Sequence, residues 1–488
     1  MRIMRSVRTS TRLAFVSLIA MTIALAPMMR SMADDDPPPV HKKKRTTVET
    51  TTTTTTTYTE QQRRVDQLSR QLEEMQKQQA DLMSEIKDLK TQMAVAAPAA
   101  PANAPSPAAA PSPATIGQHV AVVENDLAQT KSDLQKNLGV SIHGLVDATY
   151  EHNFNQPIHE TNNLRTFDNN DSFQLTQGNL HVEKDGTVGF VTDLNFGQVA
   201  ESIQAASHFS NSPADAGTGR FVDPTQYYLT YTLPVGSGIN LQAGRFVTLM
   251  DEEVVPSYTN QNYNETRNYI FGLGSPFTHT GVRGSYTFNE YVGLTLGLNN
   301  GWDDPGNLNN GGPDYEAELS LSNKDKSLGL VLNGMYGPNL TGHSNSNLEA
   351  IDPIVTIKLA FLPNTTLISE YQYESETGPV VNGHSATWQG VAQYIVYDWN
   401  AWEFATRGEI FDDEDGARSG VHQTLWDVTQ TLTYKVPDVN GLMVRAEYRH
   451  DQSNHHVFLN NEFVNPLTGL QHMWKGQDTL LGALIYAF

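Results

Sequence analysis

The chain has 488 residues, a formal net charge of -22 and no cysteine. This excess of acidic groups disfavours nucleic acid and anionic lipid surfaces as partners, so no nucleic-acid partner is expected. The lack of cysteine excludes disulfide bonds, thiolate catalysis, cysteine metal sites and a lipidated cysteine anchor.

A secretory signal peptide is predicted for residues 1–33. Arginines at its start precede an apolar run from Leu13 to Ala26, and small residues lead to a cleavage site after Ala33. Removal of its five arginines leaves the mature chain with a net charge of -27. No later stretch approaches about 18 consecutive apolar residues, so insertion into a membrane would require a closed β-barrel.

The segment 34–59 lacks the apolar residues needed for a core. It passes from an acidic, proline-rich patch through the basic run His41–Arg45 to a threonine tract. We predict that it is disordered. The basic run is compatible both with contact to an anionic polymer, such as the cell wall, and with a soluble linker.

Residues 60–93 follow a heptad pattern without proline or glycine. A seam this narrow needs a partner helix, so we predict an α-helical coiled coil about 45 Å long that self-associates. The heptads leave dimer and trimer open. The nine seam residues are Val65, Leu68, Leu72, Met75, Gln79, Leu82, Ile86, Leu89 and Met93.

Residues 140–488 have the periodicity of strands, and an Ala/Pro linker at 94–117 and a short helical segment at 118–139 precede them. Short turns such as Lys184–Gly186 alternate with long polar loops such as Thr248–Pro276. This alternation predicts an antiparallel up-and-down transmembrane β-barrel of about 16 strands, with both ends on the short-turn side. The predicted strands lie near 140–153, 171–183, 187–197, 225–233, 238–247, 277–288, 290–299, 314–323, 327–337, 351–361, 365–375, 385–397, 400–411, 422–435, 441–451 and 477–488.

Aromatic residues concentrate beside the predicted short turns, one of which is placed at Asp398–Trp399. Amphipathic rings favour the headgroup level of a bilayer, so this pattern predicts an aromatic girdle on the periplasmic side. Its members are Tyr231, Phe288, Tyr291, Phe361, Tyr397, Trp399, Trp402, Tyr434 and Phe488.

The last twelve residues, QDTLLGALIYAF, have the alternation of a strand with one face in lipid. They resemble the C-terminal signal by which the barrel-assembly machinery recognises outer-membrane barrels. Tyr486 and Phe488 are the predicted insertion signal, and the outer-membrane bilayer is the expected surroundings of the barrel.

Residues from about 140 to 488 resemble the OmpL-like β-barrel porin family of Gram-negative bacteria. The resemblance is carried by GLVDATYEHNFNQP at Gly144–Pro157, AGRFVTLMDEEV at Ala243–Val254 and PFTHTGVRGSYTFNEYVGLTLGLNNGWD at Pro276–Asp303. It implies a solute-permeable barrel in the cell outer membrane and leaves the solute undefined. The N-terminal region lies outside the resemblance and is expected in the periplasm, because both barrel ends are predicted on the short-turn side.

Charged residues on the predicted strands lie opposite the more apolar face, so we expect them to face the lumen. A cation on the lipid face would cost about 2–4 kcal/mol near the midplane. The predicted lumen bases are Arg283, Lys358, Arg407, Arg445 and Arg449. The predicted lumen acids are Glu316, Glu318, Glu370, Glu374, Glu403, Glu409, Asp427 and Glu447.

The third long loop, Thr248–Pro276, corresponds to the loop that narrows the channel in the general porins that this layout resembles. If it folds inward, its charges face the wall arginines across a narrow aqueous section. If it stays outside, they belong to a solvated surface. The charged residues in question are Asp251, Glu252, Glu253, Glu265 and Arg267.

The function predicted from these features is passive diffusion of small hydrophilic solutes or ions, with a mild preference for cations. A homotrimer is expected, because the porins that the barrel resembles are trimeric. The alternatives are a tether from the outer membrane to the cell wall through the N-terminal stalk, and a barrel hydrolase. No catalytic, cofactor or metal site is expected: His455 and His456 lack a second ligand pair, and no nucleophile elbow, phosphate loop or dinucleotide fingerprint is present.

Overall fold

A computed structural model describes residues 129–132, 135–136, 138–157, 162–168, 171–207, 221–258, 262–306, 312–339, 343, 346–464 and 471–488. The predicted signal peptide, the segment 34–59, the coiled coil and the Ala/Pro linker lie outside the described residues. Of the predicted short helical segment, residues 129–132, 135, 136, 138 and 139 are described, and all of them except Gly139 are helical.

Within the described residues, the polar–apolar alternation of residues 140–488 resolves into eighteen strands. They are β1 (Val140–Asn153), β2 (Ser172–Lys184), β3 (Val188–Phe196), β4 (Val222–Leu233), β5 (Ile239–Val247), β6 (Thr278–Asn289), β7 (Val292–Asn299), β8 (Asp314–Ser322), β9 (Leu328–Gly337), β10 (Leu348–Lys358), β11 (Thr365–Val381), β12 (His384–Trp399), β13 (Trp402–Asp413), β14 (Gln423–Lys435), β15 (Leu442–Ser453), β16 (Phe458–Val464), β17 (Gln471–Trp474) and β18 (Gly476–Ala487).

Sixteen of these strands close into one antiparallel barrel, as predicted. Each strand from β1 to β15 pairs with its neighbours in sequence, and β18 fills the gap between β15 and β1. At this seam Leu145 lies opposite Ala487, and Asn153 lies opposite Thr479. The remaining pair, β16 and β17, forms a hairpin in the connection from β15 to β18.

The two faces of the strands differ in exposure as the alternation predicts. On β18, Leu480 and Leu484 are 51% and 53% exposed, whereas Leu481 and Ile485 are buried and pack with Leu145. The outer face therefore presents apolar side chains to lipid, and the inner face of the seam contributes a small apolar core. Several predicted girdle residues, including Phe288, Phe361 and Trp399, lie exposed beside short turns.

Two connections differ from the prediction. Asp398 and Trp399 belong to β12 rather than to a turn, and the chain reverses at Asn400 and Ala401 instead. At the opposite end, β11 and β12 extend into a long hairpin closed by Asn382–Gly383. Both residues have positive φ angles, 50° and 85°, and Asn-Gly is the dipeptide that tolerates this geometry best.

Two helical elements of the loops were not predicted. Helix α1 (Gln198–Ala206) follows β3, and a π-helical turn (Ile270–Gly274) precedes β6. Among the described residues, no helix has the length and apolar character needed to span a bilayer.

Candidate functional site

The third long loop, here L3 (residues 248–277), crosses the inside of the barrel. The backbone N–H of Asp251 donates a hydrogen bond of 2.7 Å to Asp352 on β10. The backbone N–H of Tyr269 donates one of 2.5 Å to Glu409 on β13. Because β13 lies across the barrel from β5, where L3 begins, these bonds require the loop to traverse the lumen.

Wall carboxylates bind the backbone of L3. Glu370 on β11 accepts a hydrogen bond of 3.0 Å from the backbone N–H of Glu252. Glu447 on β15 accepts bonds of 2.5 and 3.0 Å from the backbone N–H groups of Glu265 and Thr266. These side-chain oxygens satisfy buried backbone N–H groups of the loop that would otherwise lack a partner, and they thereby hold the loop in place.

L3 in turn offers two carboxylates to arginines of the wall. Glu253 pairs with Arg407 on β13, and Glu265 pairs with Arg445 on β15, both at 2.7 Å. All four side chains are buried. Removing one member of a buried pair leaves an uncompensated charge, which typically costs about 3–5 kcal/mol. In these two pairs the negative charges of the loop and the positive charges of the wall neutralise each other.

The wall behind these pairs contains its own charge network. Asp427 on β14 lies 3.4 Å from both Arg407 and Arg449. The Nε of Arg449 donates to Asp451 at 2.7 Å, and its guanidinium lies 4.9 Å from the ring centre of Tyr269 in L3. The aromatic face adds a favourable interaction with the cation. These arginines are thus committed to protein partners.

Two further loops pack inside the barrel with L3. Arg165, in the loop between β1 and β2, pairs with Glu151 and with Asp451, and also donates to Thr479 at 2.9 Å. An apolar cluster joins this loop, helix α1 and L3 into one plug. Its buried members are Phe167, Val199, Ile203, Val255, Phe271 and Phe277.

Burial and charge perturb the carboxyl groups of L3 in opposite directions. Burial, with further repulsion from Glu253 and Asp352, raises the pKa of Glu252 to about 7. Burial and the nearby Asp352 also raise the pKa of Asp251 well above its usual range. Burial acts to raise the pKa of Glu265 too, but Arg445, a hydrogen bond with Asp147 and the charge of Arg267 together outweigh it and lower the pKa. Asp251 and Glu252, in the first part of L3, are therefore carboxyl groups that resist ionisation.

The wall formed by β5 to β9 has a different character. Arg283 on β6 makes a two-pronged pair with Glu316 on β8, each contact 2.9 Å, and its guanidinium lies 3.9 Å from the ring centre of Phe246. Glu318, two residues further along β8, is only half-buried and has no ion-pair partner among the described residues. This wall carries an unneutralised carboxylate.

Ten of the twelve predicted pore residues are buried. They are Asp251, Glu253, Glu265, Arg267, Arg283, Glu316, Arg407, Arg445, Glu447 and Arg449. Glu252 and Glu318 are half-buried. The structure brings the L3 residues together with those of β13 and β15 and leaves the residues of β6 and β8 apart from them. Arg267 donates to the backbone carbonyl of Glu265 and lies 5.9 Å from the ring centre of Phe167.

Several residues that hold the loops were not predicted. Asp352 lies between the apolar Ile351 and Pro353 of β10, a pattern that could have marked it as lumen-facing. Arg165 and helix α1 lie in long loops without periodicity, so the sequence offers no signal for them. Among the described residues, no cluster of three or more His, Cys, Asp or Glu side chains is arranged to hold a metal ion.

A closed antiparallel barrel of sixteen strands, apolar outside and charged inside, is the architecture of an outer-membrane porin. The family model described as "Putative beta-barrel porin-2, OmpL-like" matches residues 139–488. The chain belongs to this family, and the family and fold place it in the outer membrane.

Solved structures resemble the chain at low identity. The outer membrane channel DcaP of Acinetobacter baumannii has a TM-score of 0.47 at 10% identity, covering 72% of this chain and 97% of that one. OprB of Pseudomonas putida has a TM-score of 0.47 at 13% identity, covering 74% and 97%. An anion-selective porin from Comamonas acidovorans has a TM-score of 0.46 at 10% identity, covering 72% and 99%. No curated protein sequence matches the chain.

Proposed function

We propose that the barrel is a passive channel for small hydrophilic solutes or ions with a mild preference for cations. The observation that carries this proposal is the imbalance of charge inside the barrel. The arginines of the wall are bonded to carboxylates, whereas the half-buried Glu318 has no ion-pair partner among the described residues. Unpaired acids raise the local concentration of cations.

The path of the solute follows from where the plug lies. L3 and its partner loops occupy the side of the lumen next to β10–β15, where inward side chains are almost fully buried. Inward side chains on the other side remain half-exposed, among them Gln242, Ser285, Glu318 and Ser320. Water and solute therefore pass along the wall of β5 to β9, where Glu318 has no ion-pair partner among the described residues.

Reversal potentials in planar bilayers under a salt gradient test this proposal. The parent channel should prefer cations, and the preference should shrink as salt rises, because charges are screened beyond about 8–10 Å. Glu318→Gln should weaken the preference. The control Glu290→Gln removes the same charge from an exposed short turn and should leave it unchanged. Anion selectivity of the parent channel would overturn the proposal.

The N-terminal region is proposed to be periplasmic, since both barrel ends lie on the short-turn side. A homotrimer formed through the coiled coil, contact of the basic run with the cell wall, and insertion by the barrel-assembly machinery complete the proposal. A tether or a hydrolase would need no conductance. An assembled barrel that fails to conduct would therefore favour one of those two functions instead.

A further inference from the structure

The C-terminal residue continues the pairing of the barrel seam. Phe488 exchanges two backbone hydrogen bonds with Gly144 of β1: the N–H of Gly144 donates at 3.0 Å, and the N–H of Phe488 donates at 2.9 Å. This pair directly follows Leu145 and Ala487 in the β1–β18 register. The ladder that closes the barrel therefore ends on the last residue of the chain.

The ring of Phe488 lies against the bare Cα of Gly144. A Cβ on this glycine would be 2.4 and 2.7 Å from two carbons of the ring, and 2.9 Å from the backbone oxygen of Asn179 on β2. Such distances are too short for any real side chain. The ring of Tyr486 stacks beside that of Phe488, with centres 5.8 Å apart. Glycine at this position leaves the space that the terminal ring occupies.

The chain that leads into the barrel also contacts the ring. The ammonium group of Lys131 lies 5.0 Å from the ring centre of Phe488, within the range of a cation–π interaction. Gln135 attaches this helical stretch to β1. Its backbone carbonyl accepts a hydrogen bond of 3.0 Å from Gly139, which precedes β1, and its side chain accepts one of 2.5 Å from Ser141 on β1.

We propose that Gly144 and Lys131 form a seat for the C-terminal aromatic ring and that this seat fixes the register of the closing strand. A slip of one residue would turn every side chain of β18 to the opposite face. Because Phe488 fits only where a glycine leaves room, the seat selects one register. The interaction surface is therefore specific for an aromatic ring at position 488 of the same chain.

Gly144→Ala tests the seat. Overpacking of this size should lower the ratio of folded to unfolded barrel roughly five- to 100-fold, read from heat-modifiable mobility and urea midpoints. Gly482→Ala is the matched control, because Gly482 lies on β18 with nothing within 4 Å of its added Cβ. Equal losses in both variants would show a general intolerance of alanine and would overturn the proposal.

A double substitution separates the seat from a simple folding defect. In a Phe488→Ala background the ring is gone and only the contact with the backbone oxygen of Asn179 remains, so Gly144→Ala should cost less than it does alone. Additive losses would overturn the proposal. Lys131→Met should lower the folded-to-unfolded ratio about two- to fivefold while Lys131→Arg retains it. Identical behaviour of these two variants would remove Lys131 from the seat.

Discussion

Glu447 is a charged residue of the barrel wall that binds loop L3 rather than solute. Besides the two backbone N–H groups of L3, it accepts hydrogen bonds of 2.6 Å from the hydroxyls of Thr266 and Thr431. Glu447→Gln replaces an acceptor oxygen by a donor nitrogen, so at least one buried N–H or O–H group loses its partner. We expect a loss of roughly 2–4 kcal/mol in the free energy of unfolding, together with larger current fluctuations as L3 loosens.

Glu318→Gln is the matched control for Glu447→Gln. Glu318 is half-buried and has no ion-pair partner among the described residues, so its substitution should alter selectivity and leave the urea midpoint unchanged. Glu447→Gln should lower the urea midpoint and leave the ion selectivity unchanged. If both variants shift selectivity alike and neither changes the midpoint, Glu447 faces solute and its role as an anchor is wrong.

Glu252 makes the docking of L3 dependent on pH. Its pKa is raised from an ordinary 4.5 to about 7 when the loop is docked. A carboxyl with a raised pKa favours the docked state at low pH, and this contribution, at most roughly 3 kcal/mol, is lost as the pH rises from 4.5 through about 7. L3 should therefore be held less firmly near β11 at alkaline pH.

Single-channel recordings at about pH 5 and pH 8 check this dependence. The parent channel should fluctuate more at the higher pH. The glutamine side chain of Glu252→Gln is neutral at both pH values, so this variant channel should show little current fluctuation at either pH. A Gln variant with the same pH dependence as the parent would assign the effect to another carboxyl, such as Asp251, and contradict the prediction.

Among the elements, the heptads of residues 60–93 predict self-association independent of the barrel. A synthetic peptide of this span should sediment as a dimer or trimer at about 100 µM in analytical ultracentrifugation. A peptide with Leu72→Lys and Leu82→Lys is the control, because lysines at a and d positions disrupt the seam. A parent peptide that stays monomeric would remove the basis for a trimeric stalk.

For the whole molecule, the closed topology predicts which connections face the cell surface. The chain contains no cysteine, so single cysteines can be introduced without background. Glu414→Cys lies on a long-loop connection and should react with a membrane-impermeant maleimide on intact cells. Asp185→Cys lies on a short turn and should react only after the outer membrane is permeabilised. Labelling of Asp185→Cys in intact cells would invert the proposed orientation.

The number of strands, their facing and their closure were predictable from the sequence. A strand with lipid outside and water or protein inside must alternate every second residue, so Val444 and Tyr448 against Arg445 and Arg449 already identify a membrane strand. The alternation of short and long connections then follows from an even-stranded meander. These are local properties, and each can be predicted from one segment of the sequence without knowledge of the others.

Only the tertiary structure decided which charges meet. Arg407, Arg445 and Arg449 have the same pattern in sequence as Glu318: each is a charged residue opposite an apolar face. The path of L3, which depends on contacts more than 100 residues apart, buries the three arginines in pairs and leaves Glu318 free. An aperiodic loop has no local signal for its position, so the division between anchoring and solute-facing charges emerges only when the barrel closes around it.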